Sequence, residues 1–227
     1  MTSGGSGLAV HVESLPPNLR KVIARLRPVV RAHGFILAGG TGLALQLGHR
    51  ISEDLDFFTT EDFSTENLFQ ALQAERVQPE IMQEAQGTLT VLANEVKTSF
   101  FHYPYPFPEP KARWNGISIS GIADIAGMKV ISISQRGARR DFVDLYFILQ
   151  SLPFFQVAEN MIRRFGWNRI HPLHIGKSLV YFEDAESDPD PRYCGKKKPS
   201  WEFIKRFFTR NVQQIVLDLE SAREAAP

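Results

Sequence analysis

Gly39-Gly40-Thr41, followed thirteen residues later by Asp54-Leu55-Asp56-Phe57, is the stretch on which the reading of this chain turns. A glycine turn can bring its backbone N–H groups against an anion, because no side chain holds the main chain away. Asp54 and Asp56 stand two positions apart, and residues so spaced on a strand share a face. Paired carboxylates suit Mg²⁺, which binds through one or two of them together with substrate phosphates. A phosphate cradle and a metal seat at opposite ends of a short strand–helix–strand unit point to nucleotide chemistry.

Outward from that unit the apolar pattern assigns the elements. Leu19, Val22, Ile23, Leu26, Val29 and Val30 recur at helical spacing, with Pro17 suited to the first turn and Gly34 to the cap, so 17–33 reads as a helix. Phe35-Ile36-Leu37-Ala38 is a short strand ended by the glycines, and Thr41 opens a brief helix that stops near Gly48. Leu55-Asp56-Phe57-Phe58 is the next strand, and Ser64 to about Glu75 an amphipathic helix. Strands are expected over 77–83, 88–93, 96–102 and 117–120. Between them, the proline-rich run from Tyr103 to Pro110 is a surface connector whose aromatics either pack or rim a ligand. From Ala123 the pattern is helical, with helices expected over 123–135, 139–150, 154–165, 172–185 and 201–223. A small mixed sheet with helices, then a helical half, makes an α+β protein. The domains expected are a flexible tail over 1–14, a core over 15–122 and a helical domain over 123–227.

With 227 residues, 43% apolar and 22% charged, the chain can bury a full core. It has no apolar run long enough to span a bilayer and no signal-peptide pattern, so no membrane role is expected. The single cysteine, Cys194, excludes an internal disulfide and fits a reducing, cytoplasmic setting. Residues 1–128 carry net charge −3 and residues 129–227 carry +4, which suits a metal-binding front and a back half open to an anionic partner. The histidines His102, His171 and His174 lack metal-ligand spacing, and no P-loop pattern is present.

Transfer of a phosphoryl or nucleotidyl group asks a protein for positioning and charge neutralisation. Asp54 and Asp56 are the candidate ligands for Mg²⁺ (or Mn²⁺), and Gly39 and Gly40 the candidate cradle for the phosphates of an NTP. Thr41 adds a hydroxyl and opens a helix whose positive end favours anions. Ser52 and Arg50 lie just before the second strand, where they can touch phosphate; capping and surface roles fit them equally.

The string from Leu37 to Phe58, Leu-Ala-Gly-Gly-Thr-Gly-Leu-Ala-Leu-Gln-Leu-Gly-His-Arg-Ile-Ser-Glu-Asp-Leu-Asp-Phe-Phe, resembles the polymerase-β-like nucleotidyltransferase signature. In particular it resembles the AbiEii/AbiGii-type nucleotidyltransferase toxins of abortive-infection and toxin–antitoxin systems. Ala123–Lys129 with Arg136–Tyr146 is similar to that family's third and fourth motifs, and Ser178–Ala185 with Trp201–Lys205 to its C-terminal portion. The resemblance implies a polymerase-β-like nucleotidyltransferase core, followed by the helical domain, with the active site in the cleft between them. It also implies essential roles for the residues matching Lys129 and Asp141. A lysine there offers a cation to the triphosphate or the leaving pyrophosphate. Asp141 either orients that lysine or serves as base toward an acceptor hydroxyl. Asp144, three residues on, is equally readable as a structural ion-pair partner, and Asp124 as a helix cap.

The family's chemistry, carried over, is Mg²⁺-dependent transfer of an NMP from an NTP to an acceptor hydroxyl, with RNA, and tRNA in particular, as acceptor. An antitoxin protein is the implied partner. One departure stands out: the strand expected to bring a third carboxylate reads Val96-Lys97-Thr98-Ser99-Phe100-Phe101, without an acid. That gap keeps open a non-catalytic nucleotide- or RNA-binding module. Phosphotransfer onto a protein side chain would use the same metal seat.

Overall fold

The structure, a computed structural model, describes residues 10–107 and 112–224, and the chain divides into two compact units. In the first unit a 3-10 turn at Val12–Ser14 leads into α1 (Pro17–Ala32), β1 (Ile36–Leu37), α2 (Gly39–Leu47), β2 (Leu55–Thr59) and α3 (Thr65–Ala74). Then come β3 (Pro79–Ala85), β4 (Thr88–Ala93), β5 (Val96–His102), β6 (Ala112–Trp114) and β7 (Ile117–Ile119). These strands form one seven-stranded sheet ordered β3-β4-β5-β2-β1-β7-β6, with β2 parallel to β5 and β1 parallel to β7. The other neighbours are antiparallel, so the sheet is mixed and the architecture α+β.

Register explains why one face is core and the other is not. Leu89, Phe100, Phe57, Leu37, Ile119 and Ala112 stand side by side across six strands, and all are buried. They join one apolar cluster with Leu19, Val22, Ile23, Leu26, Val29 and Val30 of α1 and with Leu68 and Leu72 of α3. Phe57 stacks on Phe100 at 5.4 Å between ring centres, and Phe35 meets Phe100 edge-on at 5.1 Å. One residue along, the same strands present Asp56, Ser99 and Thr90 in register. Side chains alternate along a strand, so the row that follows an apolar row must face away from the core. The deep apolar row thus fixes where the carboxylate faces.

The second unit comprises residues 105–107 and α4 (Ile122–Arg136), α5 (Arg139–Ile148), α6 (Phe154–Phe165), α7 (Pro172–Leu179), α8 (Glu183–Glu186) and α9 (Trp201–Glu224). Within it α4 contacts α5, α6 and α7, while α9 contacts α5, α6 and α7. Gly176 lets α7 approach α9, since a Cβ there would stand 2.6 Å from Val216 Cγ2. Arg139 fastens the segment between α8 and α9: Nη1 reaches Asp190 at 2.8 Å, Nη2 donates to the Glu186 carbonyl, and the guanidinium lies over Trp201. Hydrogen bonding from Lys205, ahead of its charge, holds the Glu186 carboxyl below its usual range.

Several expectations change. The tail expected over 1–14 ends sooner, because Ser14 and Leu15 are buried and the Ser14 carbonyl accepts the Ser52 amide. β3 begins at Pro79 rather than 77, β6 has no counterpart in the expected list, and the helix expected over 172–185 breaks after Leu179. Asp124 is no simple cap: it is buried, accepts from Asn160 Nδ2 at 2.8 Å and stands 3.6 Å from Arg164. The connector aromatics pack, Tyr103 on Phe58 and Tyr105 on Phe165, with Arg164 over Phe107; Pro108 to Pro110 lie outside the described residues.

Phe100→Ala removes the ring at the centre of the apolar row, and large-to-small changes at such sites cost about 3–5 kcal/mol. Urea unfolding should show a loss in that range. A loss under about 1 kcal/mol would mean that the row does not carry the sheet.

Candidate active site

The turn between β1 and α2 is built by what its glycines lack. Gly39 has φ +59°, a left-handed conformation that favours glycine, and a Cβ there would lie 2.5 Å from Asp56 Oδ2. The Asp56 carboxylate therefore rests directly against the Gly39 backbone. At Gly40 the neighbour is different: an added Cβ would lie 2.5 Å from Arg50 Nη2 and 3.2 Å from Ser52 Oγ. The Ala38 amide donates to the Asp56 carbonyl at 3.0 Å, which locks β1 to β2 at the turn. Gly39, Gly40, Arg50, Ser52 and Asp56, drawn from two stretches of sequence, meet at the start of α2.

Thr41 and Ser52 brace this arrangement. The Thr41 hydroxyl, 1% exposed, bonds to Ser52 Oγ at 2.9 Å and to the Asp54 carbonyl. Its hydroxyl is thus turned toward the loop before β2 and away from the open side of the turn. Ser52 is also buried, and its amide is held by the Ser14 carbonyl at 3.1 Å. For Ser52 the sequence leaves phosphate contact and capping equally open; in the structure both hydroxyl residues tie the helix to the segment before β2.

Asp54 immediately precedes β2, two residues before Asp56, and both are half-buried. Among the described residues no three His, Cys, Asp or Glu side chains are grouped to hold a metal ion. Two carboxylates suffice for a cation such as Mg²⁺ that takes its remaining ligands from water and substrate phosphates. The donor set fits that cation, and the Asp56 carboxylate occupies the space that a side chain at residue 39 would fill. Ser99 occupies the position beside Asp56 on β5, where a third acid was sought, and accepts a hydrogen bond from Thr90 at 3.2 Å.

A second constellation lies within the helical unit. Gly137 has φ +56° and its amide caps α4 on the Ile133 carbonyl, so α5 folds back along the helix it follows. Lys129 Nζ then lies 2.6 Å from Asp141 Oδ1 and 2.7 Å from Asp144 Oδ2, both carboxylates being fully buried. Arg136 adds a contact to Asp141 at 3.3 Å from the exposed side. Two carboxylates one helical turn apart hold Lys129 in place. Asp144 shares that grip equally with Asp141, and its signal in the sequence is the three-residue spacing on one helix face.

Several large side chains are engaged inside the helical unit. Arg164 and Phe165 are buried, Trp201 lies under Arg139, and Trp167 lies under Arg223 at 4.6 Å. No helix among the described residues is long and apolar enough to cross a membrane.

Comparison with known proteins bears on the family and the fold. Residues 21–113 match the family model described as the nucleotidyl transferase AbiEii toxin of a type IV toxin–antitoxin system. An uncharacterized protein of Aquifex aeolicus is 33% identical over 209 residues, spanning 90% of this chain and 99% of the relative. Solved structures share the fold. The nucleotidyltransferase toxin MenT4 of Mycobacterium tuberculosis superposes with a TM-score of 0.56, with 18% identity over 88% of this chain and 89% of that one. JHP933 of Helicobacter pylori gives 0.52 at 16% identity, over 91% and 94%.

Breaking a buried ion pair by removing one partner costs about 3–5 kcal/mol. Lys129→Met, which removes a contact from each of two buried carboxylates, should destabilise more than Asp144→Asn, which removes one contact from the lysine. Denaturant unfolding of both variants tests this; equal stability to the wild type in both would show the triad to be energetically idle.

Proposed function

We propose, for a chain that belongs to the AbiEii nucleotidyl transferase toxin family, that it moves a nucleoside monophosphate from an NTP to a hydroxyl of RNA, with tRNA as the favoured acceptor. The observation that carries this reading is the contact of the Asp56 carboxylate with the Gly39 backbone. It joins an anion-accepting turn to a metal-binding group within one site. Bound by Asp54 and Asp56, Mg²⁺ (or Mn²⁺) would neutralise charge on the phosphates and on the attacking oxygen.

The residues of the chain do the rest. Backbone N–H groups at the start of α2 receive the phosphate oxygens, aided by the positive end of that helix. An acceptor hydroxyl forms a bond to the α-phosphorus and gives up its proton to solvent water, the α–β anhydride bond breaks, and pyrophosphate leaves with its electron pair. We assign Lys129 to the same reaction, as a fixed cation for the phosphate charge, and Asp141 to orienting it. Burial and its bonds to Lys129 and Arg136 suit Asp141 to that task better than to proton abstraction. Action in the cytoplasm, restrained by an antitoxin, follows from the family and not from any residue.

Incubation of the protein with each labelled NTP, Mg²⁺ and total tRNA should transfer label to RNA. Asp54→Ala and Asp56→Ala should each lower the rate by more than about a hundredfold, as expected when several kcal/mol of charge stabilisation are lost. Label that appears on protein would redirect the reading to protein phosphotransfer or nucleotidylation. NTP binding that ignores Mg²⁺, with no transfer, would mark a binding module.

A further inference from the structure

A ring-lined surface of the helical unit has no part in the nucleotidyl-transfer reading. On α9 the buried residues Ile204, Phe208, Ile215 and Leu219 supply the packing against the rest of the unit, and Phe208 meets Phe142 at 5.5 Å. Phe203 and Phe207 lie on another arc of the same helix, and Phe203 is 48% exposed. Tyr146 of α5 joins them, its ring 6.0 Å from Phe203 and 5.1 Å from Phe207. Phe147 extends the row at 5.4 Å from Tyr146, and Tyr193 meets Phe147 at 6.1 Å. Tyr146, Phe147 and Phe207 are half-buried, so the row runs along the surface.

The charge around this row is one-sided. From Phe203 to Leu217, α9 holds Lys205, Arg206 and Arg210 and no acid. Residues three, four and seven apart share a side of a helix, which puts Arg206 and Arg210 with Phe203 and Phe207. Lys205 is turned elsewhere, to Glu186 at 2.7 Å and Glu202 at 2.6 Å. Those pairs, with Asp190 on Arg139 at 2.8 Å, occupy the acids of the neighbouring segment. Arg206 and Arg210 are exposed and form no ion pair among the described residues. The Tyr193 hydroxyl donates to the Pro199 carbonyl at 3.0 Å, closing the exposed run Lys196-Lys197-Lys198 into a loop rooted at Tyr193.

We propose that this face of α5 and α9 binds a single strand of RNA, with a base on Phe203 and phosphates on Arg206, Arg210 and the Lys196–Lys198 loop. Single strands are held by rings that stack on bases, set among cations that follow the backbone. Cations and rings side by side match a polymer that alternates phosphates with bases. An apolar protein helix would supply only half of that match, and a duplex hides its base faces from an exposed ring. The proposal deepens the nucleotidyl-transfer reading and takes RNA from it, giving the acceptor a hold that uses none of the residues assigned to the reaction.

The test is fluorescence polarisation of the full chain, without NTP, on a labelled single-stranded RNA of about twelve nucleotides and on its duplex, across a salt series. The variants are Phe203→Ala, the pair Arg206→Gln with Arg210→Gln, and a charge-matched control, Arg27→Gln with Arg31→Gln on the exposed side of α1. Wild type should prefer the single strand. Phe203→Ala should weaken binding about tenfold with the salt dependence unchanged, because a stacked base is lost and no cation is. The arginine pair should weaken it at least as much and lower the slope of log affinity against log salt by about 1.4, roughly 0.7 for each phosphate contact. The control pair should do neither. Binding that is equal in wild type and both surface variants, an equal loss in the control pair, or a preference for duplex would overturn the proposal. Self-association in sedimentation that Phe203→Ala abolishes, with RNA binding intact, would also overturn it and mark an interface between copies. Label transfer from NTP separates this proposal from the function reading. Transfer by wild type, with RNA affinity unchanged in every variant, overturns the surface alone. RNA binding that the surface variants lose, with no transfer by wild type, overturns the enzyme reading and leaves the surface standing.

Discussion

The site depends on two missing Cβ atoms. Gly39 and Gly40 let charged side chains of opposite sign reach the main chain at the start of α2, where any larger residue would force them out. The contact is tight enough that a methyl group at either position would collide with a carboxylate oxygen or a guanidinium nitrogen. Everything else in the first unit serves to hold these parts in place. Thr41 ties the helix to the Ser52–Asp54 segment, Ser14 holds Ser52 from behind, and the Ala38 amide fixes β1 against Asp56. The apolar row through Phe57 and Phe100 sets the register that turns Asp56 away from the core.

The helical unit solves a different problem, that of keeping a lysine at a fixed point without leaving its charge uncompensated. A buried ammonium is expensive unless it is paired and hydrogen-bonded. Lys129 meets that condition with two carboxylates, and Arg136 reaches Asp141 from the exposed side. Fixed cations suit a reaction in which charge moves, because they need no reorganisation when it does. Arg139 plays a purely architectural part beside this triad, drawing the segment after α8 onto α5.

Much of this was legible in the sequence, for identifiable reasons. Glycine pairs, alternating carboxylates and helical apolar spacing are local signals, so the strand–turn–helix–strand unit, β4, β5 and most helices stood out. The α+β order followed from them. What was not legible depends on contacts between distant residues. Arg50 stands open in the sequence between a phosphate contact and a surface role, and only the fold lays it on Gly40. Asp124 resembles a cap until α6 supplies Asn160 and Arg164. β6 is three residues long and exists only through its pairing with β7, so no local pattern announces it. The break after Leu179 falls in Val180-Tyr181-Phe182, an apolar run that looks continuous with the helix before it. The serine at 99 was visible, but its place beside Asp56 required the register of a parallel pair.

The central claim is that Asp54, Asp56 and the Gly39–Gly40 backbone form one site for a divalent cation and a polyphosphate. A crystal grown with Mn²⁺ and a non-hydrolysable NTP, with anomalous diffraction recorded at the manganese edge, tests it most directly. The account predicts manganese density between the Asp54 and Asp56 carboxylates, with phosphate oxygens on the Gly39 and Gly40 amides. Manganese bound elsewhere, or a nucleotide whose phosphates lie away from that turn, would contradict it.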